Sequence, residues 1–250
     1  MTRTKIALIG FALTSVVAVA AWTVKPAAPS LSDLEITHLQ TLASAARDDA
    51  AEQRLRLEAG RGLVPAQLAL GHVLIAKPLA VEVSEGIGWL RKAVASGSRE
   101  AQATLGKLYF RGTVGQPQDF AQAAALLRPA AEKNDANASY YLALMYKNGL
   151  GVPQDSSAAA LWFDVAAHGE VPAAMFLLAN MLLSGDGVAK DDKKARSLIE
   201  RAAALEYPEA VQMMAMGLRD GSMGFERDEK EASEQFLEVA HAMKHRPREP

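Results

Sequence analysis

The sequence contains an internal repeat with a period of about 36 residues, and this repeat limits the fold more than any other feature. An alanine followed five positions later by glycine or alanine recurs five times. The pairs are Ala66/Gly71, Ala101/Gly106, Ala138/Ala143, Ala174/Ala179 and Ala210/Ala215. Successive units are 35, 37, 36 and 36 residues apart. A unit of this length buries its apolar face only against neighbouring units, so the whole array is expected to be the folding unit.

Each unit is predicted to form a helix, a glycine-rich turn and a second helix. In the third unit we expect helices over about 136–148 and 157–168, separated by a turn at 149–153 whose glycines and proline end the first helix. Asp155 or Ser156 can cap the second helix. Half of all residues are hydrophobic but only 6% are aromatic, which favours closely packed helices over a sheet core. The prediction is an all-α fold, a right-handed α/α solenoid of about five two-helix repeats.

The third unit also carries residues at spacings typical of a known family. They are Ala138, Leu142, Ala143, Tyr146, Gly149, Gly151, Val152, Asp155, Trp162, Ala166, Ala167 and Gly169. The second unit repeats part of the set at Leu105, Tyr109, Gly112 and Asp119. The pattern resembles the Sel-one-like repeat family, relatives of the tetratricopeptide repeat, over about residues 57–242. This resemblance implies a helical superhelix that holds other proteins together, often at membranes.

The segments around the repeats are assigned from composition and periodicity. Residues 26–30 are expected to be a stiff, proline-containing linker, and residues 31–60 a helical N-terminal cap. The repeat array is expected to span residues 61–242, and residues 243–250 form a charged, proline-containing polar tail. The fifth unit departs from the pattern in its turn, as terminal repeats commonly do.

Residues 1–25 combine a basic start with an apolar stretch. Arg3 and Lys5 precede residues 6–24, which are uncharged and mostly apolar. A small-residue site at 18–20 fits a cleaved signal peptide, but the stretch is also long enough to span a bilayer as a hydrophobic anchor helix. In both interpretations the basic start stays in the cytoplasm. We therefore expect an extracytoplasmic protein, soluble in the periplasm after cleavage or anchored in the inner membrane.

The sequence contains no motif that indicates a catalytic site. The absence of cysteine excludes a disulfide framework and a thiolate nucleophile. The sequence contains no Gly-x-Ser-x-Gly motif, no phosphate-binding loop and no His-Glu-x-x-His motif. With 27 basic and 29 acidic residues, the chain also lacks the excess of basic residues that a general nucleic-acid surface needs.

Two small groups of residues could suggest a metal. His241 and His245 are four residues apart, which suits two ligands on one helix face, but no third ligand is evident. Asp186, Asp191 and Asp192 do not have the spacing of a known calcium loop, and helix capping explains them better. We expect no cofactor, no metal site and no enzymatic activity.

A partner-binding surface is predicted from helical geometry. Each residue advances about 100° around a helix, so positions two, six and nine after the first alanine of a unit face away from its packed arc. The residues selected are Lys107, Phe110, Tyr140, Leu144, Lys147, Phe176 and Asn180. If first helices line the concave side, these residues form a groove for a peptide or helix with apolar anchors and some acidic character. Tyr140 and Phe176 would be its main anchors, because aromatic residues dominate binding hot spots.

The alternative is that the first helices pack against each other and bury part of this arc. The leading hypothesis for function is a non-catalytic scaffold or adaptor of the bacterial cell envelope that binds a protein or peptide. It would not bind nucleic acid, and it would contact the membrane only through an uncleaved N-terminal segment. A secreted factor that engages host proteins is the second hypothesis. An envelope-acting hydrolase is the least favoured, because no nucleophile or acid–base pair is found.

Overall fold

Twelve helices follow one another in a computed structural model that describes residues 31–245 and the side chains of residues 31–237. They are α1 (Asp33–Ala45), α2 (Asp49–Gly60), α3 (Val64–Ile75), α4 (Ala80–Ala95), α5 (Arg99–Arg111), α6 (Phe120–Ala131), α7 (Ala136–Asn148), α8 (Ser156–His168), α9 (Pro172–Ser184), α10 (Asp192–Ala204), α11 (Pro208–Asp220) and α12 (Glu229–His245). Residues 31–245 contain no β-strand, and the isolated bridge between Thr113 and Gln116 lies in a turn. The prediction of an all-α solenoid is confirmed.

The helices pack in consecutive pairs. We name the pairs α3–α4, α5–α6, α7–α8, α9–α10 and α11–α12 repeats 1 to 5, and α1–α2 precede them. Each helix packs against the next one along the chain, and some first helices also contact each other, as α1 does α3 and α5 does α7. The right-handed sense of the solenoid stays a prediction. The predicted signal or anchor segment and the linker lie outside the described residues.

The helix ends follow from residues visible in the sequence. Helix α7 spans Ala136–Asn148 and ends at Gly149, which has a left-handed backbone with φ of 67°. Between the two candidate caps of α8, the structure selects Asp155, whose carboxylate accepts a hydrogen bond from the Ala158 N–H at 2.9 Å. Asp191 caps α10 in the same way. The predicted helix–turn–helix unit is confirmed in detail here, because capping depends on local chemistry.

The small residues of the repeat allow the two helices of a unit to approach closely. A Cβ atom placed on Gly71 would lie 2.7 Å from the Leu90 side chain. A Cβ atom on Gly106 would lie 2.7 Å from the Leu127 side chain. Both leucines are fully buried. The second small residue of the motif therefore leaves the space that a leucine of the partner helix fills.

An ion-pair network joins α2 to repeat 1. Arg56 pairs with Glu52 and with Glu85, and Lys77 Nζ lies 2.8 Å from Glu52 Oε2 and 3.0 Å from Glu82 Oε1. The hydrogen bond from Arg56 lowers the pKa of Glu85, and the hydrogen bond to Glu52 raises the pKa of Lys77. This network and the apolar contacts of α2 with α3 attach the N-terminal helix pair to the array.

Candidate binding groove

A cavity of about 800 Å³ lies between α5 and α7, the first helices of repeats 2 and 3. The residues of α5 and its N-cap that line it are Ser98, Arg99, Glu100, Ala103, Thr104 and Lys107. The opposite wall, from the end of α6 to α7, is formed by Ala130, Lys133, Asn134, Asp135, Asn137, Ala138 and Tyr141. We call this space the α5–α7 cavity. Its size is within the range of sites that enclose most of a small ligand.

A second cavity of about 380 Å³ continues the first toward the N-terminus. It lies between α1 and α3, and its lining includes Ile36, Leu68 and His72. Ser98 and Glu100 line both cavities. Together the two cavities form a groove along the first helices α3, α5 and α7 and along α1, which we call the first-helix groove.

His72 connects three helices at the junction of the two cavities. The amide Nε2 of Gln40 on α1 is 3.4 Å from His72 Nδ1, and His72 Nε2 is 3.1 Å from the Thr104 hydroxyl on α5. With Gln40 donating to Nδ1, the neutral ring donates from Nε2 to Thr104. Burial lowers the pKa of His72, and the nearby Glu100 carboxylate acts in the opposite direction. The neutral imidazole is therefore part of the groove wall.

Tyr141 forms an apolar wall of the α5–α7 cavity. Its ring centroid is 5.2 Å from that of Phe110, 6.0 Å from Lys107 Nζ and 5.9 Å from Arg111 Cζ. The side chain is almost fully buried, and this burial raises the pKa of its phenol. The cations near the ring keep positive charge at the edge of the cavity.

The seven residues predicted to bind a partner lie in different environments in the structure. Lys107 is exposed and lines the α5–α7 cavity. Phe110, Tyr140 and Phe176 are half-buried and pack inside the array. The ring of Phe110 contacts Phe120 as well as Tyr141, that of Tyr140 contacts Tyr141 and Phe163, and that of Phe176 contacts Tyr207.

The other three predicted residues also have contacts within the array. Leu144 is half-buried against the apolar core. Lys147 Nζ is 3.4 Å from Asp186 Oδ2, and the Asn180 side-chain amide donates to the Phe176 carbonyl at 3.1 Å. The partial burial corresponds to the alternative in which first helices pack against each other. A role of these residues in binding stays a prediction.

The groove includes the second and sixth positions of the predicted arc in units 1 and 2, for example Ala103 and Lys107, but it also extends to first-helix residues outside that arc. Glu100 and Asn137 precede the first alanine of their units, and Thr104 and Tyr141 follow it by three positions. At about 100° per residue these positions lie near 260° and 300°, whereas the predicted arc was near 180° to 240°. The only sequence feature that indicated an open position for Glu100 and Asn137 was that both side chains are polar.

The described residues contain no arrangement for metal chemistry. No group of three or more His, Cys, Asp or Glu residues within the described part of the chain could hold a metal ion. Asp186 pairs with Lys147, and Asp191 is a helix cap, so both have structural contacts. No helix among residues 31–245 is long and apolar enough to cross a membrane.

Comparison with known proteins agrees with this architecture. The Sel1 repeat model matches four consecutive segments, residues 64–98, 99–135, 136–169 and 172–207, which cover more than half of the chain. The chain belongs to the Sel1 repeat family. Sel1 repeat proteins are related to tetratricopeptide repeat proteins and generally act as protein-interaction scaffolds. Repeat 5 lies beyond the matched Sel1 segments, consistent with an atypical terminal unit.

Solved structures with the same fold come from several bacteria. A Sel1 repeat protein from Oxalobacter formigenes is 24% identical with a TM-score of 0.74, over 88% of this chain and 91% of that one. A protective antigen present in uropathogenic Escherichia coli strains, with an SLR fold, is 25% identical with a TM-score of 0.71, over 83% of this chain and 45% of that one. A Sel1 repeat protein from Klebsiella pneumoniae is 23% identical with a TM-score of 0.51, over 77% and 96%. No curated protein sequence matches this chain.

Proposed function

We propose that this Sel1 repeat protein is a non-catalytic scaffold of the bacterial cell envelope that binds a segment of another protein in the first-helix groove. The observation that carries the proposal is that the two cavities adjoin at Ser98 and Glu100, so that together they extend along α1, α3, α5 and α7. A groove that crosses several repeats suits an extended partner segment, because repeat arrays present elongated binding surfaces.

The lining of the groove supports binding over catalysis. His72, a titratable group at its centre, is hydrogen-bonded to the Gln40 amide and the Thr104 hydroxyl, and no carboxylate among the described side chains lies at hydrogen-bond distance to orient its ring as a general base. The α5–α7 cavity is lined mainly by polar side chains and alanines, and the second cavity adds larger apolar side chains such as Ile36 and Leu68. Such a lining can hold a polypeptide through many weak contacts without providing an acid–base pair.

Photo-crosslinking in living cells tests this proposal. A photoreactive amino acid at Ala103 or Asn137, both lining the α5–α7 cavity, is expected to capture a partner protein that mass spectrometry can identify. The matched control is Leu161 on α8, whose side chain is 70% exposed away from the cavity lining. Equal capture from Leu161, or no capture from both groove positions, would contradict a binding groove at this place.

The proposed location rests on the N-terminal sequence, where Arg3 and Lys5 precede an apolar stretch. A mature chain that begins near residue 21 in the periplasmic fraction would support the cleaved form, and an intact chain in the inner membrane would support the anchored form. The alternative of a secreted factor that engages host proteins is kept because one structural neighbour is a protective antigen. Recovery of the protein from the medium would favour that alternative.

A further inference from the structure

The chain segment that forms much of the α5–α7 cavity carries more basic than acidic residues, unlike the rest of the chain. Residues 31–250 carry 24 of the 27 basic residues and all 29 acidic residues, so this part of the chain is acidic as a whole. Residues 91–133 nevertheless hold seven basic and three acidic residues, which leaves 17 basic and 26 acidic residues for the remainder. The basic segment includes α5 and α6, which supply one wall of the cavity and part of the other.

Three of these basic side chains, Arg99, Lys107 and Lys133, line the α5–α7 cavity. Within the described side chains none of these three has a carboxylate at ion-pair distance, unlike Arg56 and Lys147, which are each paired. Other exposed basic residues, such as Lys190 and Lys193, also have no carboxylate partner there, so it is the position of Arg99, Lys107 and Lys133 around one cavity that sets them apart. Cations without an internal carboxylate partner can pair with an incoming carboxylate without first breaking an existing ion pair. They also raise the local concentration of anionic ligands.

The two carboxylates of the lining offset this charge only in part. Asp135 is the N-cap of α7, and its side chain accepts a hydrogen bond from the Ala138 N–H at 2.8 Å. Its charge is therefore compensated by the amino end of that helix. Glu100 lies at the boundary with the second cavity, near His72. With Lys107 and Arg99 on the α5 wall and Lys133 on the opposite wall, the three cations outnumber the two carboxylates of the lining.

The other groups of the cavity fit a polypeptide better than a nucleic acid or a lipid. The Asn137 side chain is exposed and makes no hydrogen bond within the described part of the chain. Its carboxamide offers one acceptor and two donors that match a peptide group. Tyr141, the aromatic side chain of the lining, is buried against Phe110 and offers no open ring on which a base can stack. The aliphatic part of the lining consists of alanines, which is too little apolar surface for an acyl chain.

The adjoining cavity supplies the apolar contact that a peptide segment needs next to its charged residue. Its apolar lining includes Ile36, Val64, Leu68 and Ala69, and its polar lining includes Asp33, Thr37 and Gln40. Since it shares Ser98 and Glu100 with the α5–α7 cavity, one short segment can reach both.

We infer that the α5–α7 cavity binds an acidic segment of the partner protein, with a Glu or Asp side chain held by Lys107 and Lys133 and an aliphatic side chain seated between α1 and α3. This inference rests on the proposed protein-binding function and adds to it the chemical class of the partner segment. Arg99 contributes to the positive potential at the entrance, and Asn137 pairs with the backbone of the segment.

The test measures binding of fluorescein-labelled synthetic peptides to the full chain in nonionic detergent by fluorescence anisotropy. One peptide alternates Glu with Leu, the second Gln with Leu and the third Lys with Leu, because alternation favours an extended conformation. The Glu–Leu peptide is expected to bind at least ten times more tightly than the Gln–Leu peptide, and its affinity should fall as salt is added.

The combined variant Lys107→Glu/Lys133→Glu is expected to lose the Glu–Leu peptide and to gain binding of the Lys–Leu peptide. This gain distinguishes a reversed site from an unfolded one. The matched control is Lys190→Glu/Lys193→Glu, which changes the net charge equally at two exposed residues away from the groove. The control should bind the Glu–Leu peptide like the unaltered chain.

Several outcomes would overturn the inference. Equal binding of the Glu–Leu and Gln–Leu peptides, or no effect of reversing both lysines, would exclude acidic recognition but leave the proposed protein-binding groove in place. Displacement of the Glu–Leu peptide by single-stranded oligothymidylate at the same concentration would show a site for polyanions in general. If no peptide binds while crosslinking at Asn137 still captures a protein, only the acidic assignment fails; if both experiments fail, the proposed function fails as well.

Discussion

Gly187 lies directly against Ser156, the first residue of α8, so that a Cβ atom at this glycine would be 2.4 Å from the Ser156 carbonyl group. The two residues belong to successive repeats. Gly151 makes the same contact with Phe120, the first residue of α6, where a Cβ atom would be 2.6 Å from the backbone. The second glycine of the turn therefore allows each repeat to stack on the one before it.

The substitution Gly187→Ala should destabilise the array strongly. The glycine has φ of 71°, which an alanine adopts only with strain, and the added methyl group would overlap the backbone of α8. The free energy of unfolding, measured by urea denaturation, is expected to fall by about 2–4 kcal/mol.

Gly88→Ala is the matched control for that experiment. Gly88 lies in α4, and a Cβ atom there would have no atom within 4 Å. Because alanine is the better helix former, this variant is expected to gain about 0.5–1 kcal/mol. Equal stabilities of the two variants would show that the contact of Gly187 with Ser156 does not hold the repeats together.

Contacts between repeats, such as that of Gly187 with Ser156, are harder to predict from the sequence than the ends of helices. The end of α7 at Gly149 and the cap of α8 at Asp155 were predictable because capping is decided by neighbouring residues. The requirement for glycine at position 151 was not predictable, because the backbone atoms that leave no room for a side chain belong to Phe120 in the preceding repeat.

The candidate groove was predictable only in part for a similar reason. The period of the repeat indicates which residues belong to the first helices, and it correctly includes Lys107 among the open positions. The direction in which neighbouring helices cross determines which arc stays open, and periodicity carries no information about it. Helical periodicity alone therefore predicts Tyr140 as an anchor, whereas in the structure its ring packs on Phe163 and Tyr141 lines the cavity.

Tyr140→Ala is expected to lower stability, because its half-buried ring lies 5.3 Å from the Tyr141 ring and 6.2 Å from the Phe163 ring. The loss in the free energy of unfolding should be about 2 kcal/mol, and Tyr140→Phe should restore most of it. Leu161→Ala, at a side chain that is 70% exposed, should change stability by less than about 0.5 kcal/mol. If Tyr140→Ala were as stable as the unaltered chain but no longer captured the partner, Tyr140 would be a binding anchor after all.

His72 is expected to make the array less stable in mild acid. Burial lowers the pKa of its ring below the ordinary value of 6.5, so the unfolded chain binds a proton more readily than the folded one. The stability that the neutral ring contributes is present above pH 6.5 and is lost as the pH falls through the folded pKa.

Thermal unfolding of His72→Gln measures this contribution, since glutamine keeps hydrogen-bonding capacity without titrating near neutral pH. The melting temperature of the unaltered chain should fall more between about pH 7 and pH 5 than that of the variant. His168→Gln removes an exposed histidine on α8 and should retain the steeper dependence. Parallel profiles for the unaltered chain and His72→Gln would contradict a buried neutral imidazole at the junction of the two cavities.

The ion-pair network between α2 and repeat 1 predicts a second pH dependence, at more acidic pH. The hydrogen bond from Arg56 lowers the pKa of Glu85 below 4.5, so the contribution of this carboxylate is fully present above that value and is lost as the pH falls through the folded pKa. At neutral pH Glu85→Gln should cost about 0.5–1 kcal/mol, the range of partly exposed ion pairs, and less at high salt. Well below the folded pKa the variant and the unaltered chain should unfold at the same urea concentration. Glu132→Gln, an exposed carboxylate without an ion pair among the described side chains, should cost almost nothing at either pH. A constant difference between Glu85→Gln and the unaltered chain at every pH would mean that Glu85 stabilises the N-terminal helix pair by packing and not by charge.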